Sequence, residues 1–148
     1  MYRNLRFRTL DQVVEELKII KTSAVLNSIA TWSPYQNIKH LSELMNYSLT
    51  KYPMEMPIFL RLTVGKIYKK YMFTLGYMPQ GLPNPIAPKV REEGDTRKEI
   101  DLFLLRIQEF KNFKGEFAIH PIFDKLSRED WEILHSMHAA HHLSNISY

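Results

Sequence analysis

Ser33-Pro34-Tyr35-Gln36-Asn37-Ile38-Lys39-His40-Leu41 opens the segment whose reading decides the fold. Serine stands at an N-cap, proline at the first helical position and glutamine three residues after the cap, which is a capping box with a pre-organised first turn. Behind it Ile38, Leu41, Leu44 and Met45 recur at helical steps, and Tyr52 extends the apolar stripe. The pattern predicts a helix to about Lys51, before Pro53. Upstream, Thr9 and Gln12 form a second capping box. Leu10, Val13, Val14, Leu17, Ile20, Ala24 and Leu26 then predict a first helix from Leu10 to Ala30.

Downstream, Pro57 opens a third helical segment to about Leu75. A turn-rich loop from Gly76 to Gly94 follows, holding Pro79, Pro83, Pro85 and Pro88. Asp95 caps a helix from Thr96 to Asn112, with Ile100, Phe103, Leu104, Ile107 and Phe110 on its inner side. Ser127-Arg128-Glu129-Asp130 caps the last helix, expected from Arg128 to about Ser144. No convincing alternating strand is present. These patterns predict an all-α four-helix bundle. More than 40 residues separate the second helix from the Asp95 helix. Antiparallel neighbours need only a short loop, so this connection is read as a long crossover carrying the extra helix from Pro57 between bundle helices two and three.

The 148 residues, 45% of them hydrophobic, suit a single helical domain over 1–148 with a basic N-terminal tail at 1–8. Lys and Arg number 20 against 16 Asp and Glu. Arg3, Arg6 and Arg8 precede the first acid, leaving the rest of the chain with one more base than acid. That distribution argues against nucleic acid as a partner. No apolar run reaches the length of a membrane span, and no apolar core follows the N-terminal arginines as a secretory signal requires. Cysteine is absent, which removes disulfides, thiolate metal sites and a cysteine nucleophile from the chain. A cytoplasmic location is the expectation.

The chemistry concentrates in Leu134-His135-Ser136-Met137-His138-Ala139-Ala140-His141-His142, which holds four of the six histidines. His138 and His142 fall about 40° apart on one helix face, the spacing that lets two imidazoles share one ion. Neutral imidazole suits Zn, Ni, Cu or Fe(II). A third ligand has to come from elsewhere, and His40, on the amphipathic second helix near the side of Leu44, is preferred to His120, which precedes Pro121 in a loop. The plainer reading is a solvated histidine-rich helix end favoured by the C-terminal dipole. His135 is read as pocket wall, proton shuttle or surface residue, and His141 as a neighbour of the ligands or exposed. Glu43 and Glu132 lie near His40 and His135 in sequence. Glu43 is read as a surface residue before a support for an imidazole, and Glu132 is left open. Tyr47 and Trp131 are candidates to line the site.

The stretch Trp131-Glu132-Ile133-Leu134-His135-Ser136-Met137-His138-Ala139-Ala140-His141-His142-Leu143 resembles the terminal helix of DinB-like proteins. Trp32-Ser33-Pro34 with Asn37-Ile38-Lys39-His40-Leu41, and His120-Pro121-Ile122-Phe123 with Lys125-Leu126-Ser127, are similar in the same order. The resemblance implies a DinB/YfiT-like bundle with an up-down-down-up order and a divalent metal, Zn or Ni first, held by His40, His138 and His142. The chain departs from the family by ending soon after the motif, at Ser144-Asn145-Ile146-Ser147-Tyr148.

Relatives in that superfamily include transferases and isomerases that use low-molecular-weight thiols. The resemblance therefore implies a metal-dependent transferase in which a small thiol cofactor meets a small-molecule substrate, the thiol coming from outside a chain without cysteine. A metal-dependent hydrolase and a non-catalytic structural bundle are the alternatives. No catalytic residue is assigned. A homodimer is expected of such bundles, on a face the sequence does not reveal.

Overall fold

The computed structural model describes residues 3–79 and 86–148. Met1 and Tyr2 of the basic tail, and residues 80–85 of the expected loop with Pro83 and Pro85, lie outside the described residues. The chain is mostly helical. Its order is α1 (Leu10–Thr22), β1 (Asn27–Ser28), α2 (Pro34–Leu49), α3 (Ile58–Leu60), a π-helical turn (Arg61–Gly65), α4 (Lys66–Leu75), α5 (Thr96–Asn112), α6 (Arg128–Leu143) and β2 (Ile146–Ser147). Helix α2 packs against α5 and α6, and α1 packs against both of the same helices. Their shared core is built on Leu17, Ile38, Met45, Phe103, Ile107 and Trp131, all almost completely buried.

The capping chemistry places the helix starts. Thr9 with Gln12 and Ser33 with Gln36 form complete boxes. Asp95 accepts from the backbone N–H groups of Arg97 and Lys98. Ser127 accepts from the Asp130 N–H, but Asp130 does not return the bond; its carboxylate pairs with Lys69 at 2.5 Å. That ion pair ties α4 to the first turn of α6.

The first helix is shorter than its periodicity suggests. It ends at Thr22 rather than Ala30. The Thr22 and Ser23 hydroxyls donate back to the carbonyls of Lys18 and Ile19, and such local bonds compete with helix continuation. Asn27–Ser28 then pairs antiparallel with Ile146–Ser147, so a short ladder exists where no strand was expected. This ladder also anchors the chain end. Ile146 is fully buried, and the Tyr148 hydroxyl donates to Glu16 at 3.1 Å. The basic segment runs beside it: Arg3 pairs with Glu16 at 2.6 Å, the Leu5 N–H donates to Ser144 Oγ, and Phe7 is buried. Helix α2 stops two residues early, at Leu49, and Tyr52 reaches back from the following coil to donate to the Leu44 carbonyl.

The helical run at 58–75 contains a π turn at Arg61–Gly65. A Cβ at Gly65 would strike the Ile122 carbonyl oxygen, so glycine lets this turn press on the loop before α6. Arg61 reaches the same loop, pairing with Asp124 at 3.6 Å and with Glu55 at 3.3 Å. The outer side of this run exposes Ile58, Phe59, Leu62, Ile67 and Tyr71. No helix among the described residues is long and apolar enough to cross a membrane.

Candidate metal centre

One cavity of about 460 Å³ lies between α2, α4, α6 and the 120–123 loop, and all six histidines line it. The reason is a polar stripe on each of two otherwise apolar helix faces. On α6, Trp131, His135, His138 and His142 follow at steps of four, three and four, which keeps them on one side. On α2, Asn37, His40, Leu44 and Ser48 do the same.

His40, His138 and His142 each offer a ring nitrogen, and these nitrogens all lie within 4.8 Å of one another. The ring centroids are 4.7 Å apart for His40–His142 and His138–His142, and 5.1 Å apart for His40–His138. Bond lengths of about 2.0–2.1 Å to zinc would set three nitrogens roughly 3.3 Å apart, inside the 4.8 Å over which these three are spread. The donor set fits a borderline cation: three imidazoles, without a carboxylate or thiolate in the cluster. His40 is 2% exposed, and its Nδ1 meets no partner, a buried nitrogen that a cation can satisfy.

The three rings are held neutral. Burial pulls His40 down to about 4, and neighbouring His141 adds to the effect. Burial also holds His138 and His142 well below the ordinary histidine range, with His142 and His40 reinforcing it at His138, and His40 and His141 at His142. Neutral imidazole is the form that binds metal, so protons compete only in acid.

Asn37 orients His142. Its Nδ2 donates to the carbonyls of Trp32 at 3.1 Å and Ser33 at 2.9 Å. That turns Oδ1 toward His142 Nδ1, 2.9 Å away. His142 therefore donates from Nδ1 and leaves Nε2 free for a cation. Trp32 stacks on the His142 ring at 5.6 Å. Neither role was read from the sequence, although an asparagine one turn before His40 on an apolar face was a usable signal.

The model of the family described as Protein of unknown function (DUF1569) matches residues 1–147. The chain belongs to the DUF1569 family. No curated protein and no solved structure matches it.

The remaining histidines of this DUF1569 chain have distinct surroundings. His135 lines the wall; its Nε2 donates to Ser48 Oγ at 3.0 Å, because that hydroxyl spends its proton on the Met45 carbonyl. His120 sits in a tight turn, paired with Asp124 through both backbone bonds. Burial lowers His120 and His135 to about 3, His135 adding to the shift at His120. His141 packs on His142 at 5.1 Å and bonds the Met78 carbonyl, at the edge of the cluster rather than within it. Glu43 pairs with Lys39 and does not line the cavity. Glu132 accepts from the Leu10 N–H, 3.4 Å away, at the start of α1. Tyr47 packs at a tilt against Tyr52 without lining the cavity, whereas Trp131 lines it. Among the described residues no carboxylate lines the cavity.

Proposed function

We propose that this chain is a DinB/YfiT-like four-helix bundle, up-down-down-up with a crossover at 58–75, whose His40, His138 and His142 hold a divalent metal, Zn or Ni, for transfer of a small thiol to an electrophile. The observation that carries this reading is the triad of neutral imidazoles opening onto a cavity large enough for a small molecule. A divalent ion bound there would lower the pKa of a thiol or water entering its open position.

The chain's own residues supply the rest. Asn37 and Trp32 keep His142 in one tautomer and orientation. Tyr68 and Met72 on α4, with Leu44 and Leu134 opposite, form an apolar wall that excludes water from the reacting groups. That no carboxylate among the described residues lines the wall favours thiol transfer over hydrolysis, since a coordinated thiol ionises without a general base whereas hydrolytic zinc sites commonly add one. The absence of cysteine fits a thiol supplied from outside and a cytoplasmic location. The homodimer belongs on the exposed Ile58, Phe59, Leu62, Ile67 and Tyr71 face, and light scattering of the eluting species tests it: a monomer withdraws the dimer.

The test uses tag-free protein, first analysed for metal and then assayed with a panel of small thiols and electrophiles. Turnover that needs both metal and thiol supports transfer. Turnover without thiol points to the hydrolase. Bound metal with no turnover, and a large loss of melting temperature on chelation, points to a structural ion.

A further inference from the structure

Trp131 is completely buried and lines the cavity, yet its indole N–H meets no acceptor. An unpaired buried donor forfeits its hydration without compensation, so its retention asks for an explanation. His120 stands beside it, the rings 5.4 Å apart. The N–H groups of Ile122 and Phe123 both donate to His120 Nδ1, at 3.1 and 3.0 Å. That nitrogen is therefore unprotonated, and the ring proton sits on Nε2. Nε2 meets no acceptor among the described residues, while Phe123 stacks on the ring at 4.5 Å and fixes its plane. Two adjacent rings, each with a neutral N–H donor, thus line a cavity that has no carboxylate among the described residues. Such a pair suits an oxygen with a partial or full negative charge.

Trp131 and His138 are seven residues apart on the same stripe, which sets them roughly 10 Å apart along α6. Leu134, Leu44 and Met72 line the cavity with them. We propose that His120 and Trp131 form an oxygen-binding subsite, which takes the carbonyl or carboxylate oxygen of a ligand whose other end lies at the three-histidine cluster. The ligand class is a chain with an apolar middle, a metal-binding head and an oxygen acceptor several bonds away. This rests on the metal-and-thiol reading for the head group only; the oxygen subsite stands on the two donors.

Cobalt-loaded protein tests it, read by the thiolate-to-cobalt charge-transfer absorption. The probes are ω-mercaptocarboxylates from 3-mercaptopropionate to 11-mercaptoundecanoate, the matching ω-mercaptoamides, and alkanethiols of equal length. The expected result is an affinity maximum at an intermediate acid or amide, at least tenfold tighter than its alkanethiol. Trp131→Phe removes the N–H and keeps an aromatic ring, so it should erase that increment of acid or amide over the alkanethiol of equal length. A preference for acid over amide identifies a carboxylate ligand, and the reverse identifies a carbonyl. Equal affinity for acid, amide and alkanethiol overturns the subsite, as does a Trp131→Phe variant that keeps the increment. Should Trp131→Phe fail to fold, the length series on the unaltered protein decides, because affinity rising steadily with chain length signifies only apolar burial. If alkanethiols give no signal, the thiol reading fails by itself. Thermal shift with hexanoate and hexanamide then judges the subsite, stabilisation of the unaltered protein over Trp131→Phe supporting it and equal shifts overturning it.

Discussion

Replacing Asn37 by leucine keeps the side-chain shape and removes four hydrogen bonds at once, the weakest being the one Oδ1 accepts from Asn145 Nδ2 at 3.5 Å. The Asn37 Oδ1 to His142 Nδ1 contact is 2.9 Å, and the two contacts from Nδ2 reach the Trp32 and Ser33 carbonyls. Losing the first frees the His142 ring to adopt either tautomer and to rotate. Losing a bond that orients a metal-bound histidine typically weakens binding 10- to 100-fold, or about 1.4–2.7 kcal/mol. Losing the other two leaves the Trp32 carbonyl unpaired, while the Ser33 carbonyl keeps the Asn37 backbone N–H at 3.1 Å, and lowers folding stability by about 1–3 kcal/mol if the Trp32 carbonyl stays dry. Asn37→Asp separates the two effects. Its carboxylate still accepts from His142 Nδ1 but cannot donate to the carbonyls, so zinc affinity should survive while stability falls. The assay is zinc competition against a chromogenic chelator at neutral pH, run well below each variant's melting temperature. A folded Asn37→Leu protein with unaltered zinc affinity would refute the orienting role, and so would an Asn37→Asp protein that loses as much affinity as Asn37→Leu.

Alanine at His40, His138 or His142 should abolish tight zinc binding, whereas His141→Ala should retain it, as measured by metal content after dialysis. Equal retention by all four variants would remove the ligand assignment. Acid should destabilise the metal-free protein. His120 and His135 are held to about 3 by burial, below the ordinary 6.5. The unfolded chain therefore gains protons that the folded one refuses as pH falls from 6.5 toward 3. Each ring contributes about 1.4 kcal/mol per pH unit once the pH is well below 6.5 and about half that at 6.5, so the pair costs about 3 kcal/mol between pH 6.5 and pH 5. Urea midpoints at those pH values check it, and His135→Phe should flatten the slope; an unchanged slope contradicts the buried neutral ring. Deleting residues 1–8 exposes the pocket of Phe7, which is 8% exposed, and should cost about 2–3 kcal/mol. Its zinc content should not change, because none of residues 3–8 lines the cavity; loss of zinc would show that the segment supports the site.

The helix starts were legible because capping is local: Thr9, Ser33, Asp95 and Ser127 each bond to backbone within three residues. The pairing of His138 with His142 on one helix face was legible for the same reason, since helical spacing alone puts both there. The end of α1 was not, because Asn27–Ser28 leaves the helix to pair with Ile146–Ser147 at the far end of the chain. Nor was the place of Trp131 beside His120 or the tautomer of His142, which depend on groups brought in by other elements.

Sequence periodicity and caps were enough to specify helices and to nominate three imidazoles, since both follow from geometry repeated within a few residues. Tertiary packing alone decided that all six histidines face one cavity, that Asn37 turns His142, and that His120 stands beside Trp131. Those relations join residues far apart in the chain, and they exist only once the apolar faces of α2 and α6 have been buried together.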